Sequence, residues 1–287
     1  MRMNLNIFRR GSSPTPGSTA QIDKSAPAPP PSYTQIHKDA KFEGDMKTSP
    51  STETKEIVFT SEEEDQLQML SKYDTVFVVD DSGSMCEGRR WEQAQEAIAT
   101  LTKFAIKEDE NGIDVHFLNK REPGLNIQTV YDARRLFNFK PYGPTLLGMK
   151  LEQLLGEYQR EYAEAVQTAS KTRTKIKCKP VNFVVITDGR PTDTVPNIIA
   201  FAAKQFDNMG MPLHQVGIQF VQIGNDPGVV KFLKSLDDDI ALKSGVRDMV
   251  DTTQFNPDAK GNLTPEALIK TLLGGINRRV DNDEVDM

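Results

Sequence analysis

"FVVDDSGSM", Phe77 to Met85, is the stretch whose reading decides the fold. Val76 to Val79 are four apolar or aromatic residues in a row, the pattern of a strand covered on both faces at the centre of a parallel sheet. The chain then turns at once to oxygen-bearing side chains: Asp80, Asp81, Ser82 and Ser84. In an open α/β sheet, ligands sit outside the carboxyl ends of the strands, where the chain leaves the core into loops. The same change recurs at "VNFVVITD", Val181 to Asp188, an apolar run that ends in an acid.

Outward from these two strands the pattern alternates. "SEEEDQLQML" signals a first helix, with Ser61 and Glu64 at capping-box spacing and acids at the positive end. Trp91, Ala94, Ile98, Leu101 and Ala105 recur at helical spacing and predict a helix over about 90–107. "IDVHFL" (113–118) reads as a strand, "NIQTVYDARRLF" (126–137) as a short helix, and 146–170 as a long one. A helix over 195–208 ends at Gly210, "VGIQFVQIG" (216–224) is a strand, and Asp226 with Pro227 opens a helix to about Leu236. A strand near 249–255 and a helix over 264–279, with Leu268, Leu272 and Ile276 on one face, complete the series. Strands alternating with helices predict an α/β fold, a mostly parallel central sheet between two helical layers.

The domain is expected over residues 56–280, after an N-terminal tail (1–55) and before a short acidic end (281–287). From Ser12 to Thr34, 14 of 23 residues are Ser, Thr or Pro, too little apolar surface to offset the entropy of ordering, so disorder is expected there. Within the tail, Pro30, Pro31 and Tyr33 fit the Pro-Pro-x-Tyr pattern that resembles ligands of WW domains, which suggests an adaptor for a WW-containing ubiquitin ligase. No apolar run of membrane-spanning length occurs, and "MRMNLNIFRRG" at the N-terminus lacks the apolar stretch of a secretory signal, so none is expected. Only two cysteines, Cys86 and Cys178, point to an intracellular, cytoplasmic protein and exclude a cysteine-built zinc site. A net charge of -6 argues against a general nucleic-acid binder.

Three stretches place oxygen side chains at the sheet edge: Asp80, Ser82 and Ser84; Asp188; and Thr145 in "YGPT", just before the long helix. Two carboxylates with three hydroxyls form a hard-oxygen set suited to Mg²⁺ or Mn²⁺. Thr129 competes with Thr145 for its place. Asp81, at the variable position of the motif, is expected to face solvent or the loop backbone, Asp193 to cap a helix, and Cys86 to be a small buried residue.

Asp-x-Ser-x-Ser at Asp80, Ser82 and Ser84, a later Thr, and a strand ending in Thr-Asp-Gly together resemble the von Willebrand factor type A domain and its metal-ion-dependent adhesion site. The likeness covers about residues 73–280. It implies a Rossmann-like three-layer α/β/α sandwich in which Ser82, Ser84 and Thr145 hold Mg²⁺ (or Mn²⁺), with Asp80 and Asp188 contacting it directly or through water. It also implies that an exposed Asp or Glu of a partner protein completes the shell.

A hydrolase is the competing class. The chain has no Walker-type phosphate loop, its serines are not in G-x-S-x-G, and Ser82 stands where a haloacid-dehalogenase-like phosphatase needs a second Asp. His37, His116 and His214 are the only histidines, one in the tail and two at or beside strands away from the metal loops. The expectation is a metal-dependent protein-binding module, not an enzyme. The basic run Lys171 to Lys179 is expected to be a solvated lead into the next strand.

Overall fold

The computed structural model describes residues 57–108, 111–257 and 263–283. Strand β1 (Asp74–Val79) lies inside the sheet, parallel to β2 (Ile113–Phe117) on one side and to β4 (Val181–Thr187) on the other. Next come β5 (Val216–Gln222) and β6 (Val250–Gln254), both parallel, while β3 (Gly124–Ile127) closes the other edge antiparallel to β2. The order is β3-β2-β1-β4-β5-β6. The chain thus builds outward from β1 in one direction and from β4 in the other. Between these two strands lies the point where the winding reverses, the crevice in which such sheets hold ligands.

Helices cover both faces. Phe77, Val79 and Ile186 point to one side and pack with Ile98 and Leu101 of α2 (Arg90–Glu108) and with Leu272 and Ile276 of α7 (Pro265–Asp283). The short α1 (Ser61–Gln68) and α3 (Val130–Arg135) join this layer through Leu67 and Ala133. Val78, Val185 and Phe220 face the other way, against Leu151 and Leu155 of α4 (Leu147–Thr172), Ile199 and Phe206 of α5 (Val195–Asn208) and Leu236 of α6 (Pro227–Ser244). The result is a three-layer α/β/α sandwich of the Rossmann-like kind. Helix α7 lies directly on β5: a Cβ at Gly217 would stand 2.6 Å from the Gly275 carbonyl oxygen, so only glycine permits the approach.

Several boundaries differ from expectation. The capping box of α1 is Thr60 with Glu63, not Ser61 with Glu64, because the Thr60 hydroxyl accepts from Glu63 N and Glu63 Oε2 returns to Thr60 N. Residues 124–127 form strand β3 and not the start of a helix; α3 begins only after Thr129, whose hydroxyl caps it at Asp132 N (3.0 Å). Helix α6 continues to Ser244 and stops at Gly245 in the left-handed region. No helix among the described residues is long and apolar enough to cross a membrane. Helix α7 runs on to Asp283, into the expected acidic end, while Pro30, Pro31 and Tyr33, the tail to residue 55 and residues 284–287 lie outside the described residues.

Candidate functional site

The carboxyl ends of β1 and β4 bring Asp80 beside Thr187. Asp80 N donates to the Ile186 carbonyl (2.8 Å), and the Thr187 hydroxyl donates to Asp80 Oδ2 (2.7 Å). Asp80 Oδ1 accepts from Ser82 N at 2.9 Å, which bends the chain into the Gly83–Cys86 turn. Asp80 is 1% exposed, and among the described residues no cationic side chain pairs with it. Burial pushes its carboxyl above the usual pKa range, the hydrogen bonds from Ser82 and Thr187 oppose that shift, and the charge of Asp188 adds a little to it.

Asp188 is reached from the β1 loop across 104 positions of sequence. Ser84 Oγ donates to Asp188 Oδ1 (2.9 Å), and Ser82 Oγ stands 3.1 Å from Ser84 Oγ. The two hydroxyls and the Asp188 carboxylate thus form one hydrogen-bonded row. Arg90, the first residue of α2, places Nη1 2.8 Å from Asp188 Oδ2, and the same nitrogen reaches the Ser84 carbonyl and Glu87 Oε2. The Asp188 side chain is fully buried and that of Arg90 about one third exposed.

Thr145 belongs to a loop tied to both of these. Gly83 N donates to the Gly143 carbonyl (3.0 Å), and Thr192, by its N–H and its hydroxyl, donates to the Thr145 carbonyl. Gly143 has φ 85°, and a Cβ there would meet Asn119 Oδ1 at 2.5 Å, so the turn before Thr145 needs glycine. The Thr145 side chain is buried, and among the described residues no hydrogen bond engages its hydroxyl. Its competitor Thr129 is committed to the cap of α3.

Asp81 has a structural task that the sequence left open between solvent and loop. It is fully buried; Oδ1 accepts from Asn119 N (2.7 Å) and Asn119 Nδ2 (3.1 Å), and Oδ2 from Lys120 N (2.9 Å). Asn119 Nδ2 also donates to the Pro144 carbonyl, and Tyr142 N to the Asp81 carbonyl. One carboxylate therefore locks the loop after β2 to the loops that carry Ser82 and Thr145. Asp193 is a helix cap as expected, but of α4: its two oxygens accept from Gly148 N and Met149 N, at a helix start where Leu146 offers no side-chain cap. Cys86 is exposed, not buried, with Sγ 3.4 Å from the Pro141 carbonyl. His116 sits on β2 and His214 just ahead of β5, at the opposite end of that strand from the site.

Arg90 and Asn119 were not singled out from the sequence. A signal for Arg90 existed: a cation at the first position of a helix opposes the helix dipole, so it needs a nearby anion.

The site's oxygens are all hard, two carboxylates and three hydroxyls, and among the described residues the buried Asp80 carboxyl has no paired cation and the Thr145 hydroxyl no hydrogen-bond partner. That chemistry fits a small divalent cation such as Mg²⁺ or Mn²⁺ and not zinc or copper. Among the described residues no three His, Cys, Asp or Glu side chains gather as a metal cage, so hydroxyls would have to supply much of any shell.

No protein-family model matches the chain, and no curated protein matches its sequence. Among solved structures it is similar to the pilus adhesin SpaC of Lactobacillus rhamnosus GG, at 13% identity and a TM-score of 0.39 over 73% of this chain and 31% of that one. The chain thus spans less than a third of the adhesin's length.

Proposed function

We propose that this chain is a von Willebrand factor type A domain protein acting as a metal-dependent protein-binding module inside the cell, with its metal-ion-dependent adhesion site at the β1–β4 crevice. The observation that carries the reading is the row Ser82–Ser84–Asp188, which unites the loops of two adjacent strands beside the buried Asp80. Ser82, Ser84 and Thr145 would hold Mg²⁺ or Mn²⁺, with Asp80 and Asp188 directly or through water. When bound, the ion supplies a Lewis-acidic position open to one more oxygen ligand. With two carboxylates against three neutral hydroxyls, the chain leaves that position attractive to an outside carboxylate, so the partner is a protein with an exposed Asp or Glu. The two free cysteines, Cys86 and Cys178, support the intracellular placement.

Thermal unfolding of EDTA-stripped full-length chain, with and without Mg²⁺ or Mn²⁺, tests the reading. At about 100 times the dissociation constant, linkage gives roughly 2.7 kcal/mol, or about 5–10 °C for a domain of this size. The shift is expected to vanish in Asp188→Ala and to shrink in Thr145→Ala. A wild-type midpoint that stays put in millimolar Mg²⁺ and Mn²⁺ would refute the metal site.

A further inference from the structure

Asp188 has no free oxygen. Ser84 occupies Oδ1 and Arg90 occupies Oδ2, in an ion pair whose acidic half is fully buried. The guanidinium is about one third exposed and bonds through one nitrogen. Trp91, the next residue, stacks within an aromatic cluster (ring centroids 4.7 Å from Phe137 and 5.2 Å from Phe139) and donates from Nε1 to the Phe137 carbonyl. This anchors the first turn of α2, and the Nη1 that meets Asp188 also donates to Glu87 Oε2 and to the Ser84 carbonyl. Asp80, by contrast, has no paired cation among the described residues. The site thus carries one permanent positive charge, aimed at one of its two acids.

The geometry points to Arg90 as a resident counter-ion that a divalent cation must displace from Asp188, a built-in brake on metal loading that rests on the metal-site reading above. The chemistry follows from charge and crowding. A dication drawn to the row of Ser82, Ser84 and Asp188 arrives within a few ångströms of a guanidinium in a crevice where burial weakens screening. Two cations beside one carboxylate repel, so the ion's gain at Asp188 is reduced by what the arginine loses. Glu87, largely exposed and already bonded to the same nitrogen, gives the released guanidinium an alternative anion. An arginine suits this task because its charge cannot be lost by deprotonation. The expected result is a site of moderate affinity that fills firmly only when a further carboxylate joins the ion.

The experiment is calorimetric titration of EDTA-stripped full-length chain with MnCl₂, for wild type, Arg90→Gln and Arg90→Lys. Arg90→Gln is expected to bind Mn²⁺ more tightly by roughly 5- to 150-fold, the usual range for coupling between two sites. Its metal-free melting midpoint should fall, because Asp188 then lies buried without a cation. Arg90→Lys keeps the charge and stays nearer to wild type. Equal or weaker Mn²⁺ binding in Arg90→Gln, with wild type binding normally, overturns the brake while leaving the metal site standing. Absence of Mn²⁺ binding in all three proteins overturns both. A readout on wild type alone guards against a variant that does not fold: the Arg90 side-chain signals in ¹⁵N spectra are expected to shift and to lose their protection from solvent exchange as Mg²⁺ is added. Signals that hold their position and slow exchange at saturating Mg²⁺ overturn the proposal.

Discussion

Asp81→Asn exchanges one carboxylate oxygen for an NH₂ group in a side chain that ties three loops together. If the remaining oxygen faces Asn119, it keeps the bonds from Asn119 N and Nδ2, and the new NH₂ opposes Lys120 N–H, which bonded Oδ2 at 2.9 Å. If it turns the other way, two bonds are lost instead of one. A hydrogen bond to a charged group is worth roughly 1.5–3 kcal/mol, and a donor left unsatisfied in a buried place costs about 1–3 kcal/mol. The smaller loss, with donor set against donor, gives about 2–4 kcal/mol. For a domain of this size that lowers the melting midpoint by roughly 5–15 °C. The assay is calorimetric or circular-dichroism melting in EDTA, where metal effects play no part. Because Asn119 also holds the Pro144 carbonyl, the Thr145 loop is expected to loosen too, and the proposed Mn²⁺ site to weaken along with stability. A midpoint within about 2 °C of wild type would refute the account of Asp81 as the clamp of the site.

Asp193→Ala removes the two side-chain oxygens that accept from Gly148 N and Met149 N at the start of α4. The expected loss is about 1–2 kcal/mol in a urea melt, and Asp193→Asn should recover part of it; an unchanged urea midpoint would mean that water caps the helix equally well. His116 has its pKa lowered, first by burial and then by the charge of Lys150, against the opposing pull of Asp114 and Glu157. The unfolded chain therefore binds the proton more readily, and stability falls as pH drops below about 6.5 toward the folded-state value. Urea midpoints between pH 7.5 and 5.5 should decline less in His116→Gln than in wild type, and parallel declines would show that His116 does not contribute.

The strands buried on both faces were legible because an apolar run of four to seven residues is a local signal. β1, β4 and β5 match the stretches 76–79, 181–188 and 216–224 to within two residues at each end. Leu268, Leu272 and Ile276 are fully buried, as their spacing required. Strand β3 was missed because it is a four-residue edge strand that includes Asn126 at φ 53° and has one buried residue, Gly124; its pairing with β2 and not its composition makes it a strand. The end of α6 was missed because "DDD" at 237–239 resembles a break, yet Asp237 and Ile240 pack inward and the helix runs on to Gly245.

For the candidate site, the sequence by itself determined which oxygen side chains stand at the strand ends. Asp80, Ser82 and Ser84 lie within five residues, so their shared turn follows from local geometry, and Asp188 ends a strand of the same buried kind. Tertiary structure alone decided which distant groups meet them. Arg90 reaches Asp188 across 98 positions, Asp193 reaches the start of α4 across 45, and Asp81 reaches Asn119 across 38. The first depends on β1 and β4 lying side by side where the sheet's winding reverses, and the last on β2 lying at the other side of β1. Periodicity reports which residues are buried, but strand order is set by how the helices pack across the two faces, and no single segment contains that information.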